Sequence, residues 1–327
     1  MKKLFSLLLA ALCLSLSLTG CGDDNAATNK PQNNRLVVGF SQVGQESGWR
    51  DAETNDVQWY AARHTDTIEL HFADAQQNPE NQIKAVRSFI DLGVDVIVLC
   101  PVIETGWEDV LTECQQAGIP VILVDRGIDA GTDDSLYTTL IASDHVWAGE
   151  QSAIVMADLL GGSGVVVELQ GTLGASATLQ REQGFDSYMA ANYPDIQIVD
   201  HQCANFTRDQ GRSVMASLLA TYDQIDGVFC HNDDMALGAI EAIEEAGLVP
   251  GVDVKLVSVD GVKGAFEAVL AGKLNCTVEC TPLLAQQIFD TAAALKAGET
   301  VDKRIVSNDD IYTADKVTQE IIDGRTY

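Results

Sequence analysis

Basic residues are scarce in this sequence, which has 20 Lys and Arg against 48 Asp and Glu and a formal net charge of -28 at pH 7. A surface of this sign repels the phosphates of nucleic acids and of anionic lipids. The acidic residues are spread along the chain rather than gathered in a tail, which is typical of a solvated globular surface. The charge balance therefore argues against nucleic acid as a partner.

Motifs of catalysis and metal binding are also missing. The sequence has no GxSxG, no phosphate loop and no paired CxxC among its 8 cysteines. The spacing of His201 to Cys203 and of Cys230 to His231 does not match a zinc site. We therefore expect no metal and no cofactor, and we expect buried free thiols, with one disulfide among the body cysteines as an open alternative.

Long apolar runs are confined to the N-terminus. Two lysines precede the apolar run 4–18, and small residues then lead to Cys21. The run is too short for a stable transmembrane helix, and the pattern resembles the signal peptides of bacterial lipoproteins. We expect residues 1–20 to be a signal peptide, Cys21 to carry lipid, and residues 21–35 to be a flexible tether that anchors an extracytoplasmic protein to the membrane. The alternative is an ordinary signal peptide that leaves Cys21 as a passive thiol.

The remaining chain alternates short apolar runs with amphipathic segments. The runs are LVVGF, IELHFA, VDVIVLC, IPVILVD, YTTLIAS, VVVELQ, IQIVDHQ, DGVFC, VKLVSV and NCTVEC. Apolar residues at consecutive positions indicate strands that are buried on both faces, as in parallel α/β sheets. In NQIKAVRSFIDLG the apolar residues fall on one helical face and Gly93 ends the helix. About half of the runs precede residue 142, which predicts two doubly wound parallel-sheet domains.

Polar side chains recur directly after these predicted strands, where parallel sheets bind ligands. They are Gly44 to Arg50, Asp74, Asp125, Arg126, Asp144, Gln170 to Ser176, Asn205, Phe206, Asn232 to Asp234, and Asp260. Carboxylates accept hydrogen bonds from hydroxyls, while Arg and Asn donate to the same oxygens. Such a set suits a polyol, and an aromatic face such as Trp49 suits the C–H groups of a sugar ring. The alternative is that Trp49 packs under the first helix and that Arg50 pairs with Glu53.

Several longer segments resemble the sugar-binding proteins of bacterial ABC importers with the ribose-binding fold, and most closely their galactofuranose-binding subfamily. These segments are VGFSQVGQESGWRDAETN, ENQIKAVRSFIDLGVDVIVLCPVIETGWEDVL, IPVILVDRGID, VVELQGTLGASATLQREQGF, NFTRDQGRSVM, HNDDMALGAIEAIEEAGL, SVDGVKGAFEAV and TVECTPLLAQQIFD. The resemblance implies a type I periplasmic binding protein fold with a three-segment hinge. Its lobes would comprise residues 36–141 with 281–308, and residues 142–280 with 309–327.

The resemblance also implies a set of ligand-binding residues. In the first lobe they are Glu46, Ser47, Gly48, Trp49, Arg50, Asp125 and Arg126, and in the second they are Arg181, Phe206, Asn232, Asp260 and Glu279. Trp49 would supply the stacking ring, and Asp125 with Arg126 would hold two adjacent hydroxyls. Salt bridges or helix capping are the structural alternatives for Asp125, Arg126, Asn232 and Asp260. Glu279 is chosen because its neighbour Cys280, at the place of a family glutamine, is a poor hydroxyl partner.

The implied function is capture of a monosaccharide, galactofuranose or a similar sugar, by closure of the two lobes. A monomer would then deliver the sugar to the permease and ATPase subunits of an ABC transporter. One alternative is a sensor that hands the sugar to a chemoreceptor or a histidine kinase. A glycosidase is disfavoured, because each carboxylate of the set is matched with donors suited to an intact sugar.

Overall fold

The computed structural model of the protein describes residues 35–129 and 133–327. The predicted signal peptide 1–20, the proposed lipidation site Cys21 and all but the last residue of the tether 21–35 lie outside the described residues. Within the described ranges, no helix combines the length and the apolar character that a membrane crossing requires. Six cysteines fall in these ranges, and all of them are free thiols.

The first sheet has six strands within the described ranges, and all of its neighbouring strands are parallel. They are β1 (Leu36–Gln42), β2 (Ile68–Asp74), β3 (Val96–Leu99), β4 (Val121–Val124), β5 (Thr139–Ala142) and β11 (Arg304–Val306), in the spatial order β11-β5-β4-β3-β1-β2. The helices of this half are α1 (Gly48–Arg63), α2 (Pro79–Leu92), α3 (Glu108–Ala117) and α9 (Ala285–Lys296).

Helices cover both faces of this sheet, which explains its continuous apolar runs. On β3, Val96 and Val98 pack with residues of α1 and α9, whereas Ile97 and Leu99 pack with residues of α2 and α3. Successive side chains of a strand point to opposite faces, so both sets of positions must be apolar. The helix predicted before Gly93 is α2, and Gly93 ends it in the left-handed conformation with φ 68°.

The second sheet also has six strands in the described part of the chain, and β12 is antiparallel to its neighbour β10. The strands are β6 (Gly164–Gln170), β7 (Ile196–Cys203), β8 (Gly227–Cys230), β9 (Lys255–Asp260), β10 (Cys276–Glu279) and β12 (Ile311–Thr313), in the order β12-β10-β9-β8-β6-β7. Its helices are α4 (His145–Leu160), α5 (Ser176–Asn192), α6 (Arg208–Thr221), α7 (Asp233–Glu245), α8 (Lys263–Leu270) and α10 (Gln319–Gly324), and a short 3-10 helix, Asp134–Leu136, precedes β5.

The prediction of two parallel α/β sheets is confirmed, and each of the predicted apolar runs forms one of the strands β1 to β10. The sequence pattern missed β11 and β12. Both have three residues, lie at a sheet edge and are partly exposed. The chain passes between the sheets after β5, after β10 and between β11 and β12.

Candidate functional site

One cavity is lined by residues that follow strands of both sheets. It contains about 260 Å³ of space free of protein atoms, part of which is open to solvent. Its lining consists of Glu46, Ser47, Trp49, Arg50, Asp125 and Arg126 from the first half, and of Ala177, Arg181, Phe206, Asn232 and Asp260 from the second. The structure thus brings together every predicted site residue except Gly48 and Glu279.

The loop after β1 places two of these residues at the start of α1. The Ser47 hydroxyl accepts a hydrogen bond from the Arg50 backbone N–H at 3.2 Å and so caps the helix. Side chains in a first helical turn point back toward the N-terminus, which here directs Trp49 and Arg50 into the cavity. The indole Nε1 of Trp49 donates to the carbonyl oxygen of Cys280, at the end of β10. Trp49 therefore reaches from the first half of the chain to the second.

Arg50 is surrounded by carboxylates. Its Nε lies 3.2 Å from Glu46 Oε1, and its two terminal nitrogens contact Glu53 and Asp125. The guanidinium is 2% exposed, so it is held in one orientation rather than moving in solvent. The alternative pairing of Arg50 with Glu53 is therefore observed, together with contacts to two carboxylates of the cavity.

Asp125 is kept ionised by its neighbours. Burial alone would raise its pKa, but Arg50, Arg126 and His145 outweigh that effect and lower the pKa of Asp125 to about 2. An ionised carboxylate only accepts hydrogen bonds. At neutral pH, Asp125 therefore presents oxygen atoms that suit the hydroxyl groups of a ligand.

Arg126 connects the two halves of the cavity. One of its terminal nitrogens contacts Glu46, and its Nε lies 3.7 Å from Asp125 Oδ2. Its guanidinium carbon also lies 5.1 Å from the ring centroid of Phe206, which follows β7 in the second sheet. This distance falls within the range of a cation–π contact.

The charged pair of the second half is Arg181 and Asp260. Arg181 donates to the backbone carbonyl of His231 and lies 3.6 Å from Asp260 Oδ1. Burial raises the pKa of Asp260, and Arg181 opposes that shift. Helix α5, which carries Arg181, packs tightly on α4, since a Cβ at Gly149 would lie 2.2 Å from the Arg181 carbonyl oxygen. The close packing fixes the position from which Arg181 extends.

Asn232 has a structural role at the edge of the cavity. Its Oδ1 accepts from the Met235 backbone N–H at 3.0 Å, which caps α7, and its Nδ2 donates to the Phe206 carbonyl at 3.1 Å. The helix-cap alternative is therefore observed. Because an amide nitrogen carries two hydrogens, these bonds still leave one donor for a ligand.

Phe206 fits against the backbone of Gly171, at the end of β6. A Cβ on Gly171 would lie 1.9 Å from the Phe206 ring, so only glycine leaves room for the ring. Phe206 itself has φ 59°, and Asp125 and Asp260 have φ 59° and 130°. Such backbone conformations are uncommon for residues other than glycine and cluster at binding sites.

Several buried polar atoms of the cavity lack a partner. Among the described residues, Glu46 Oε2, Arg126 Nε and Arg181 Nε form no hydrogen bond. A buried polar atom without a partner costs on the order of 1–3 kcal/mol, which ligand hydroxyl groups would recover. The set contains one acceptor and two donors and is therefore matched to groups that both donate and accept.

Gly48 and Glu279 lie elsewhere. The Gly48 backbone N–H donates to Asp234 Oδ2 at 2.9 Å, and the Glu279 carboxylate binds Arg325 at 2.7 Å. Glu279 was predicted to bind the ligand because its neighbour Cys280 is a poor hydroxyl partner, and the sequence pattern did not reveal its ion pair with Arg325 of the C-terminal segment. It missed Ala177, whose methyl group carries no chemical signal of binding.

Hydrogen bonds outside the cavity also join the two halves of the chain. Besides the bond from Gly48 to Asp234, the Gly127 N–H donates to Ser176 Oγ at 2.8 Å. The Glu104 N–H donates to the Gly174 carbonyl at 2.8 Å. Each of these bonds joins a loop or helix of the first half to a loop or helix of the second.

Comparison with known proteins places this architecture among solute-binding proteins. The galactofuranose-binding protein YtfQ of Escherichia coli (strain K12) is 43% identical over 291 residues, which cover 88% of this chain and 90% of the relative. The crystal structure of a galactofuranose binding protein superposes with a TM-score of 0.84 at 43% identity, covering 89% of this chain and 98% of that chain.

A third relative is the periplasmic binding protein of the arabinose ABC transporter from Shewanella sp. ANA-3, solved with α- and β-L-arabinofuranose. It is 46% identical, with a TM-score of 0.82 and coverage of 87% of this chain and 94% of that chain. The model of the periplasmic binding protein domain matches residues 38–300. These matches confirm the resemblance drawn from the sequence and the interpretation of the chain as a binding protein rather than an enzyme. The chain belongs to the periplasmic binding protein family.

Proposed function

We propose that the protein captures a single monosaccharide, a furanose such as galactofuranose, in this cavity and delivers it to the permease of an ABC importer. The proposal rests above all on one observation. Carboxyl groups, guanidinium groups and two aromatic rings from both sheets converge on one cavity, and some of their buried polar atoms have no hydrogen-bond partner within the described residues.

The two rings and the charged groups have separate tasks in this proposal. Trp49 and Phe206 offer flat faces to the C–H groups of the sugar. Asp125 and Glu46 accept from hydroxyl groups, while Arg126, Arg181 and Asn232 donate to them. Asp260, whose burial raises its pKa, adds a carboxyl that donates as well as accepts when it is protonated.

The size of the ligand is limited by the cavity. Its charged side chains and both aromatic rings surround a single small space, which favours one sugar ring over an oligosaccharide. One relative of more than 40% identity is named for galactofuranose, and another was solved with bound L-arabinofuranose. We therefore propose a five-membered ring as the bound form.

Binding would act through closure of two lobes, residues 36–141 with 281–308 and residues 142–280 with 309–327. A sugar that contacts both lobes favours the closed form by the contacts it gains there. We further propose that Cys21 carries a lipid anchor and that the closed, monomeric protein docks on the permease, where reopening releases the sugar.

The test is a calorimetric titration with galactose, L-arabinose, ribose and glucose. We expect saturable binding of galactose or L-arabinose, and a loss of at least about fivefold in affinity in Trp49→Ala, because a stacked ring contributes on the order of 1 kcal/mol beyond the area it buries. Trp59→Ala is the matched control, since Trp59 lies on the same helix and is 57% exposed. Equal binding by Trp49→Ala and Trp59→Ala would contradict the assignment of the cavity.

A further inference from the structure

A second group of polar side chains lies in the second half of the chain, among residues that do not line the cavity. Glu168 on β6, Asp186 on α5 and His201 on β7 present their ligand atoms within 4.8 Å of one another. The three residues come from three elements and are far apart in sequence. The spacing of cysteine and histidine residues therefore could not reveal the group.

The group has one hydrogen-bond donor position and two acceptors. His201 Nε2 lies 3.0 Å from Asp186 Oδ2 and 3.2 Å from Glu168 Oε2. A single ring nitrogen carries at most one hydrogen, so it can satisfy only one of these oxygens well. Within the described residues, Glu168 Oε2 has no hydrogen-bond partner although Glu168 is completely buried, and Asp186 Oδ1 has none either.

We propose that Glu168, Asp186 and His201 bind a divalent transition-metal ion of the zinc class. Tetrahedral zinc sites have bonds of roughly 2.0–2.2 Å, which places neighbouring ligand atoms about 3.3 Å apart. The separations from His201 Nε2 to Asp186 Oδ2 and to Glu168 Oε2, 3.0 and 3.2 Å, are close to this value. One ion bound to all three side chains would satisfy both carboxylates at once, which a proton cannot do.

The chemistry of the three ligands selects among metals. An imidazole nitrogen suits zinc, copper or nickel, whereas calcium and magnesium prefer sites made of oxygen alone. Glu182 lies one helical turn before Asp186 on α5 and adds negative charge beside the site. The side chains of Asp186 and His201 are 35% and 33% exposed, so an ion can enter from solvent.

A buried histidine binds Glu168 from behind the proposed metal site and also contacts a residue of the cavity. The second oxygen of Glu168 binds His231 Nε2, and both side chains are fully buried. The backbone carbonyl of His231 accepts from Arg181. Such a partner behind a metal ligand fixes its orientation. His231 therefore connects the proposed metal ligand Glu168 to Arg181, which lines the cavity.

The test is to strip the protein with a chelator and titrate it with ZnCl₂ by calorimetry, with CoCl₂ absorption as a second readout. We expect one zinc ion per chain, visible bands of tetrahedral cobalt, and a loss of at least about tenfold in zinc affinity in both His201→Gln and Asp186→Asn. His71→Gln is the matched control, because His71 faces Glu69 at a similar distance, 3.2 Å, on β2. It should bind zinc like the unmodified protein.

Two further measurements decide between the remaining outcomes. Cys203→Ser removes the thiol two residues from His201, and zinc binding lost in this variant but kept in His201→Gln would overturn the proposal in favour of thiol binding. Zinc-free melting curves show whether each variant still folds. If the folded, unmodified protein binds no zinc, the group is an ion-pair network and the proposal is wrong, whatever the result with sugars.

Discussion

Arg126 lies over the ring of Phe206, with its guanidinium carbon 5.1 Å from the ring centroid. The two residues follow β4 of the first sheet and β7 of the second, so this contact spans the cleft. It is arranged by two unusual backbones, since Asp125, just before Arg126, and Phe206 both have positive φ. The proposed capture of a sugar requires that the residues after β4 and β7 keep these positions.

Asp125→Asn tests the charged part of the site. The substitution removes the anion that Arg50 and Arg126 face, and it replaces an acceptor with a group that also donates. We expect sugar affinity to fall at least about 30-fold, since truncating one partner of a buried charge pair costs ~2 kcal/mol or more. Calorimetry measures the loss. Asp310→Asn, which alters an exposed pair with Lys316, should bind normally, and equal affinity in the two variants would contradict the prediction.

Gly171→Ala tests the space behind Phe206. The new methyl group would lie 1.9 Å from the ring, so the ring must move. We expect the affinity for the sugar to fall about five- to tenfold, because a ring contact contributes on the order of 1 kcal/mol. The double variant with Phe206→Ala should lose little more than Phe206→Ala alone, since both act on one ring. Gly324→Ala is the control, because no atom lies within 4 Å of its added carbon. Additive losses would show that Gly171 acts elsewhere.

Asp234→Asn tests closure without altering the cavity lining. Asp234 accepts from the Gly48 N–H at the N-terminus of α1, and the helix dipole strengthens that bond to a carboxylate. Asparagine keeps an acceptor oxygen but loses the charge, and a hydrogen bond to a charged group contributes roughly 1 kcal/mol more than one to a neutral group, so we expect about fivefold weaker sugar binding. X-ray scattering of the liganded protein should show more of the open form. Asp209→Asn, in the exposed first turn of α6, is the control, and identical behaviour of the two variants would refute the role of Asp234.

The pH dependence of stability tests the low pKa of Asp125. Its pKa is about 2 in the folded protein and about 3.9 in an unfolded chain. The carboxylate therefore stabilises the fold above pH ~4, by on the order of 2 kcal/mol, and this contribution is lost as the pH falls toward 2. Urea unfolding of the unmodified protein and Asp125→Asn should give free energies of unfolding whose difference is large at pH 6, shrinks below pH ~4 and vanishes only as the pH falls to about 2 or lower. A difference that stays constant or widens on acidification would show that the pKa is not lowered.

The sequence predicted most of the fold because parallel strands that are buried on both faces leave a continuous apolar pattern. It could not predict β11 and β12, since a three-residue edge strand such as Arg304–Val306 is partly exposed and has no apolar period. The helix end at Gly93 was predictable because a left-handed residue there favours glycine.

The cavity lining was predictable where polar residues lie at or just after strand ends, as at Asp125, Arg126 and Asp260. It was not predictable where a partner comes from a distant segment. Glu279 binds Arg325 of the C-terminal segment, and Ala177 reaches the cavity only because of the position of α5. The proposed metal site shows the same limit, since Glu168, Asp186 and His201 meet only in three dimensions.

Whether the protein binds the furanose form of a sugar can be observed by carbon-13 NMR of galactose labelled at C1, with the protein in excess. Pyranose and furanose forms give separate C1 signals, so the bound ring form is observed without assumption. We predict that the bound signal is that of the furanose and that it is weaker in Asp125→Asn. A bound pyranose would contradict the proposed ring form, and the absence of any bound sugar, here and with labelled L-arabinose, would contradict the assignment of the cavity as a furanose site.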